Sequence, residues 1–233
     1  MARIVVKCGG AASELRPEDT ILPLHASGEA VCVVHGAGPQ ISQEMERRGL
    51  EVRFVEGRRF TSPEALEVVR DSFAQVNGRL LAALGPDAVG MMGDEAGLQA
   101  TKVEGLGLVG EPLPSAPAAI VEALDAGQIP VITPLAEGPL NVNADDAAAA
   151  LAVGLEAARV LFLTDVPGVL VDGEVAPTLD AASIEDAVAA GEFEGGIVPK
   201  LRAAAFAAAH GILAEIGATH VIAAAAKEPS HGV

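Results

Sequence analysis

Two rhythms of apolar residues alternate along the chain. Short β-branched runs, Arg3 to Val6 and Ala30 to Val34, end at glycines, the pattern of parallel strands buried on both faces. Between such runs the apolar spacing lengthens to that of helices. Pro39 to Arg48 reads as a helix opening behind Gly38. Another starts at Thr61-Ser62-Pro63, with Thr61 as hydroxyl cap and proline in the first turn, and continues through Leu66, Val69, Phe73, Val76 and Leu80. Ala88 to Met92 and Pro130 to Thr133 predict further strands, separated by a hairpin and a helix over Ala116 to Ala126. A helix from Asp145 to Leu155 leads into a strand over Arg159 to Thr164. Asp172-Gly173 marks a hairpin turn, Ser183 caps a short helix, and Lys200 to His210 forms the last helix. Leu213 to Ile216 and Thr219 to Ala223 pair as a closing hairpin, and the final ten residues are expected to fray.

This order predicts an α/β fold, a three-layer αβα sandwich around a mostly parallel open sheet. No internal repeat or linker divides the chain, and Pro112 to Pro117 is only a short connection, so residues 1–233 form a single domain. In such sheets ligands bind beyond the carboxyl ends of the strands. The glycines after Lys7, the Gly36–Gly38 loop, the segment Asn141 to Asp145 and Asp165 all fall there.

Composition narrows the function. With 50% hydrophobic residues but only 3% aromatic, and neither Trp nor Tyr, the core of this 233-residue chain is aliphatic. No apolar run approaches the roughly 20 residues of a membrane span, and no signal-peptide pattern precedes the first strand, so a cytoplasmic protein is expected. Cys8 and Cys32 sit in predicted strands, as buried thiols do. The five histidines lack metal-ligand spacing. A formal charge of −17 argues against nucleic acid as a partner. It also means that an anionic ligand needs positive charge gathered locally.

The cations are therefore informative. Lys7 closes a buried strand, where an ammonium is costly unless it reaches a cleft and an anion. Lys200 follows Gly195-Gly196, which can turn it toward the same cleft; the plain alternative is a solvated lysine at a helix start. Gly9-Gly10 and Gly36-Ala37-Gly38 each join a strand to a helix, where bare N–H groups suit anionic oxygen, or where an ordinary tight turn sits. Arg58-Arg59 supplies either a carboxylate grip or a surface charge pair. Asn141, Asn143 and Asp145 either serve a site or merely cap the following helix. Gly105-Leu106-Gly107-Leu108-Val109-Gly110 matches the spacing of a dinucleotide loop, but the Glu111-Pro112-Leu113-Pro114 that follows cannot open a helix, so it reads as a hairpin turn.

Taken together, Lys7-Cys8-Gly9-Gly10, Val34 to Ile41, Gly57 to Thr61, Asn141-Val142-Asn143-Ala144-Asp145 and Leu163 to Leu170 resemble the amino acid kinase family, in order from Ile4 to about Gly211. The likeness is strongest to members that phosphorylate the γ-carboxylate of N-acetyl-L-glutamate in arginine biosynthesis. The resemblance implies that Lys7 and Lys200 neutralise the phosphoryl group in transfer and that Asp145 orients both. It places the phosphoryl oxygens on Gly9, Gly10, Gly36 and the N–H groups near Ala37-Gly38, and the acetylglutamate on Arg59 and Asn141. ATP would lie along Asp165, Val166, Pro167, Gly168, Val169 and Leu170 with Glu192, Phe193 and Glu194, carrying Mg²⁺ on its phosphates with no metal ligands from the protein. It further implies a lobe over about residues 1–144 for substrate and dimerisation, a lobe over about 145–233 for nucleotide, and an arginine-insensitive homodimer, since the chain begins directly with its first strand.

The sequence departs from the family pattern at Ala37, where a third glycine is usual, at Gly93 to Gly97, and in an early C-terminal end that lacks the usual penultimate strand. Ala37 can still offer its N–H if its φ is negative. Two rivals stand beside acetylglutamate phosphorylation: a sibling kinase acting on carrier-bound aminoadipate or glutamate, and a non-catalytic ligand-binding paralogue.

Overall fold

Strands with apolar side chains on both faces are buried on both, and β1 (Arg3–Cys8), apolar apart from Arg3 and Lys7, and β2 (Ala30–His35), apolar apart from His35, lie at the middle of the sheet. They flank α1 (Glu18–Ala26), and the computed structural model describes residues 1–9, 16–55 and 57–223. Next come α2 (Gly38–Arg47), a small hairpin of β3 (Phe54–Val55) and β4 (Arg58–Arg59), and the long α3 (Pro63–Leu84). β5 (Ala88–Met92), the single turn α4 (Gly93–Ala96), β6 (Ala100–Lys102), β7 (Val109–Pro112), α5 (Ala118–Asp125) and β8 (Ile129–Thr133) follow. Then β9 (Leu135–Ala136) and β10 (Leu140–Val142) lead into α6 (Ala144–Gly154) and β11 (Arg159–Phe162). The chain finishes with the hairpin β12 (Leu170–Val171) and β13 (Glu174–Val175), β14 (Thr178–Asp180), α7 (Ile184–Ala189), α8 (Ile197–Ala209), β15 (Leu213–Ile216) and β16 (Thr219–Ile222).

The main sheet runs β14-β16-β15-β11-β1-β2-β8-β5, and every neighbouring pair is parallel except β15 and β16. Period-two alternation sorts its side chains. Ile4, Val6 and Cys8 face Ile21 of α1 and Leu80 and Leu84 of α3, whereas Val5 faces α5, α6, α7 and α8. Helices thus cover both faces, as expected of a three-layer α/β sandwich. α6 is alanine at 147–150 and 152, all buried, because it lies between the sheet and α8 and has no solvent face there.

Several local expectations need correction. α1 escaped the sequence pattern because Pro23 interrupts it and only Ile21 is fully buried. Ser62, not Thr61, caps α3: its Oγ accepts the Ala65 N–H at 3.1 Å. α8 begins at Ile197, three residues before Lys200. Asp180 rather than Ser183 caps the 3-10 turn leading into α7, accepting the Ala182 N–H, while the Ser183 hydroxyl donates to the Asp180 carbonyl. β14 lies outside the β15–β16 hairpin and forms the sheet edge. Asn141 and Val142 are strand residues of β10, paired with β7, rather than loop. The Gly105–Gly110 segment does join an antiparallel pair, β6 and β7. There Gly107, at φ 76°, packs on the Thr61 carbonyl so closely that a Cβ would collide with it. The last ten residues, with their expected fraying, lie outside the described residues.

Candidate functional site

β1 has β2, the next strand in the chain, on one side and β11, formed much later, on the other. The crevice beyond its carboxyl end is where a parallel sheet opens. Lys7 shares the parity of Val5 and so points toward α6. There its Nζ lies 2.9 Å from Oδ1 of Asp145. Lys200, in the first turns of α8, places its Nζ 3.0 Å from the same oxygen. The two far-separated lysines therefore meet at one carboxylate atom, and all three residues are less than a tenth exposed. Asn143 fixes the acid by capping α6: its Oδ1 accepts the N–H groups of Asp145 at 2.8 Å and Asp146 at 3.3 Å. The capping reading of Asn143 is correct, whereas Asp145 does more than favour a helix end.

Burial alone would push the Asp145 carboxyl up, but the Lys7 and Lys200 ammonium groups outweigh it and hold it below its ordinary value. Burial also lowers Lys200, with Lys7 adding to that and Asp145 opposing it. One negative charge between two positive ones leaves a net cation in a desolvated place. Such a cluster attracts a further anion.

Beside the triad lies a cavity of about 230 Å³ lined by Lys7, Asp145, Asn141, Arg59 and the Gly36–Gly38 loop. Arg59 is 7% exposed. Its Nη2 donates to the Gly38 carbonyl at 3.0 Å and to Ser42 Oγ at 2.8 Å, and its guanidinium lies 4.6 Å from the Phe54 ring centroid. Among the described residues no carboxylate pairs with it, and burial lowers its pKa. A guanidinium so placed stays charged and calls for an anionic ligand. Asn141 donates through Nδ2 to Thr61 Oγ1 at 3.1 Å, and that hydroxyl donates to the Arg59 carbonyl at 2.9 Å, so the two substrate-side residues are tied to each other.

Ala37 has φ −145°, on the negative side that lets alanine replace glycine, and it precedes Gly38 at the N-terminus of α2, where N–H groups are open to an anion. Gly36 is a correction. Its N–H is already used, donating to the Cys8 carbonyl at 3.0 Å as the last rung between β1 and β2, so it cannot hold phosphate. Gly9 sits beside Leu163 at the end of β1; Gly10 lies outside the described residues. His35, directly before this loop, is fully buried against Asn77, and burial pushes its pKa down to about 4, leaving a neutral imidazole. The Cys8 and Cys32 thiols are free and buried, which pushes both up to about 12.

The segment after β11 starts next to Lys7, because the Leu163 N–H donates to the Lys7 carbonyl. Asp165, Val166, Pro167 and Leu170 are exposed there, as are Glu192 and Glu194. Gly168 and Val169 turn inward: the Val169 N–H donates to Thr219 Oγ1 at 2.8 Å, and a Cβ on Gly168 would come 2.6 Å from Val175 Cγ1. Phe193 is likewise packed into the main core. These three shape the surface rather than offering side chains to a ligand. Sequence reasoning gave no role to Asp146 or Ser42, whose only signals are their places one residue after Asp145 and one turn into α2. Among the described residues no group of three or more His, Cys, Asp or Glu side chains is placed to hold a metal ion, and no helix is long and apolar enough to cross a membrane.

A mostly parallel sheet with an acid of α6 clamped by two lysines beyond the end of its central strand defines a class of α/β proteins with a cationic site suited to an anionic ligand. Residues 2–217 match the amino acid kinase family, and the chain belongs to it. Acetylglutamate kinase of Rubrobacter xylanophilus is 42% identical over 224 residues, covering 93% of this chain and 88% of that protein. Acetylglutamate kinase of Chloroflexus aurantiacus is 40% identical over 190 residues, covering 76% and 75%. Among solved structures, smu.665 from Streptococcus mutans is similar with a TM-score of 0.85 at 27% identity, covering 95% of this chain and 98% of that one.

Proposed function

We propose that the protein transfers the γ-phosphoryl group of ATP to the γ-carboxylate of N-acetyl-L-glutamate, giving N-acetylglutamyl 5-phosphate and ADP in arginine biosynthesis. The observation that carries this reading is the meeting of Lys7 and Lys200 on Asp145 at the rim of a cavity that also holds a buried Arg59, which has no carboxylate partner among the described residues. Named relatives at about 40% identity over most of the chain support it.

The chemistry fits these parts. A γ-carboxylate, with an ordinary pKa of about 4.3, is ionised at neutral pH and needs no general base. One of its oxygens bonds to the γ-phosphorus as the bond from that phosphorus to the β–γ bridging oxygen breaks; no proton moves, and ADP leaves with the electron pair. The barrier is the approach of one anion to another, so positioned cations and N–H donors lower it. Lys7 and Lys200 neutralise the equatorial oxygens, Asp145 holds the two ammonium groups together and aimed, and Ala37 and Gly38 offer N–H groups. Arg59 and Asn141 hold the α-carboxylate and amide end of the acceptor. The nucleotide lies along the exposed part of residues 165–170 with Glu192 and Glu194, and Mg²⁺ accompanies its phosphates. Residues before about 145 serve the acceptor and those after it the nucleotide, in a cytoplasmic homodimer.

Purified protein supplied with ATP, Mg²⁺ and a panel of acids tests this. ADP release is expected with free N-acetyl-L-glutamate and weaker release with glutamate, aspartate or a carrier-linked aminoadipate. Preference for the carrier-linked acid, or binding without turnover, would reject the assignment.

A further inference from the structure

The β3–β4 hairpin roofs the acceptor cavity; among the described residues its two strands pair with each other and not with the main sheet, and the chain is tied to the body just beyond it, where Thr61 bridges Gly107. Neighbouring strand residues point to opposite sides. Arg59 turns to α2. Arg58 turns the other way, toward β7 and α6, where its Nη2 lies 3.2 Å from the Glu111 carboxylate and 3.9 Å from that of Asp146. The hairpin turn rests on α8: Gly57, at φ 78°, is so near Pro199 that a Cβ would come 3.2 Å from its Cγ.

Arg58 also divides space. On one side is the acceptor cavity; on the other is a second cavity of about 260 Å³, floored by Ala149, Ala203 and Phe206. Open volume lies on both sides of this guanidinium, and among the described residues Glu111 and Asp146 are the carboxylates set against it. One of them, Asp146, follows the residue that gathers both lysines.

We propose that Arg58 is a positioning residue that seats the β3–β4 hairpin, and with it Arg59, over the acceptor cavity through Glu111 and Asp146. The acceptor is thereby registered to the same turn of α6 that fixes Lys7 and Lys200. This rests on the acetylglutamate reading only for the choice of substrate in the assay. Arg58 stands 26% exposed at the side chain, so its pairs are of modest strength and their loss should shift binding without abolishing the fold.

Steady-state kinetics of Arg58→Ala should show the KM for N-acetyl-L-glutamate rising about three- to tenfold, with kcat and the KM for ATP within about twofold of wild type. Arg58→Lys should recover most of the loss. Glu111→Gln should move KM the same way and add less than its own effect in the Arg58→Ala background. Amide hydrogen exchange gives a readout independent of turnover: the Phe60 N–H, which donates to the Arg53 carbonyl at 2.9 Å across the hairpin base, should exchange faster in Arg58→Ala. An unchanged acceptor KM together with unchanged exchange overturns the proposal, as does a fall in kcat with KM unmoved. If wild type releases no ADP with acetylglutamate, the substrate reading fails, and the exchange rates still decide the role of Arg58.

Discussion

Replacing Asp145 by Asn removes one charge and almost no volume, so its effect is nearly all electrostatic. In the wild type a single oxygen accepts from Lys7 at 2.9 Å and Lys200 at 3.0 Å. At roughly 6 Å or less, the most that a shared oxygen allows, two ammonium groups repel by about 3 kcal/mol at an effective dielectric of ~20. Without the carboxylate that repulsion stands uncompensated beneath less than a tenth exposure. Removing one partner of a buried ion cluster typically costs about 3–5 kcal/mol, which is the loss expected here in urea unfolding at pH 7. With the lysines no longer aimed, kcat should fall about 100-fold or more. Pyrophosphate should raise the Tm of the variant more than that of wild type, because the unpaired ammonium groups then gain an anion. A variant with the wild-type urea midpoint and a kcat within tenfold would show that Asp145 does not hold the two lysines together.

Lys7→Ala and Lys200→Ala should depress kcat far more than KM for either substrate, since phosphoryl charge is concentrated in the transition state, whereas Arg59→Ala should mainly raise the acetylglutamate KM; initial-rate kinetics with the reverse pattern would refute these roles. Asp146 supplies a pH test. Burial pushes its carboxyl up to about 6, with Asp145 and Glu111 adding to the rise and Arg58 and Arg202 drawing it back only part way. A folded-state pKa above the unfolded value near 3.9 means that ionisation costs the folded state, so this penalty is absent below about pH 4, grows from about pH 4 to 6, and is full above that. Asp146→Asn should therefore be about as stable as wild type near pH 4 and more stable at pH 8, by ~3 kcal/mol at most. Urea titrations at the two pH values check it, and an equal difference at both would reject the raised pKa.

How much of this was legible depended on whether the signal was local. Strands and helices with a clean period, such as β2 and α3, could be read from spacing, since burial on a face imposes that spacing. Elements that local pattern does not require were missed: α1 holds a proline and one fully buried apolar residue, and β3 and β4 have two residues each. The site behaved the same way. Lys7, Asp145 and Lys200 stood out because charge after an apolar strand or beside glycines is costly unless used. Gly36 looked like a phosphate donor, yet its N–H completes the sheet. Phe193 looked like part of a nucleotide wall, yet it fills the core.

The order of elements, the strand ends that carry glycine, and the residue types able to handle phosphate were set by the amino-acid sequence itself, because propensity, period and the cost of burying charge act within a few residues. Tertiary structure alone decided that two ammonium groups share one oxygen, that Arg59 is buried against Gly38 and Ser42, and that Arg58 faces Glu111 and Asp146. Those facts depend on how α6, α8, β7 and the small hairpin pack around β1. Electrostatic energy depends on distance through space and on desolvation, and neither is written in separation along the chain.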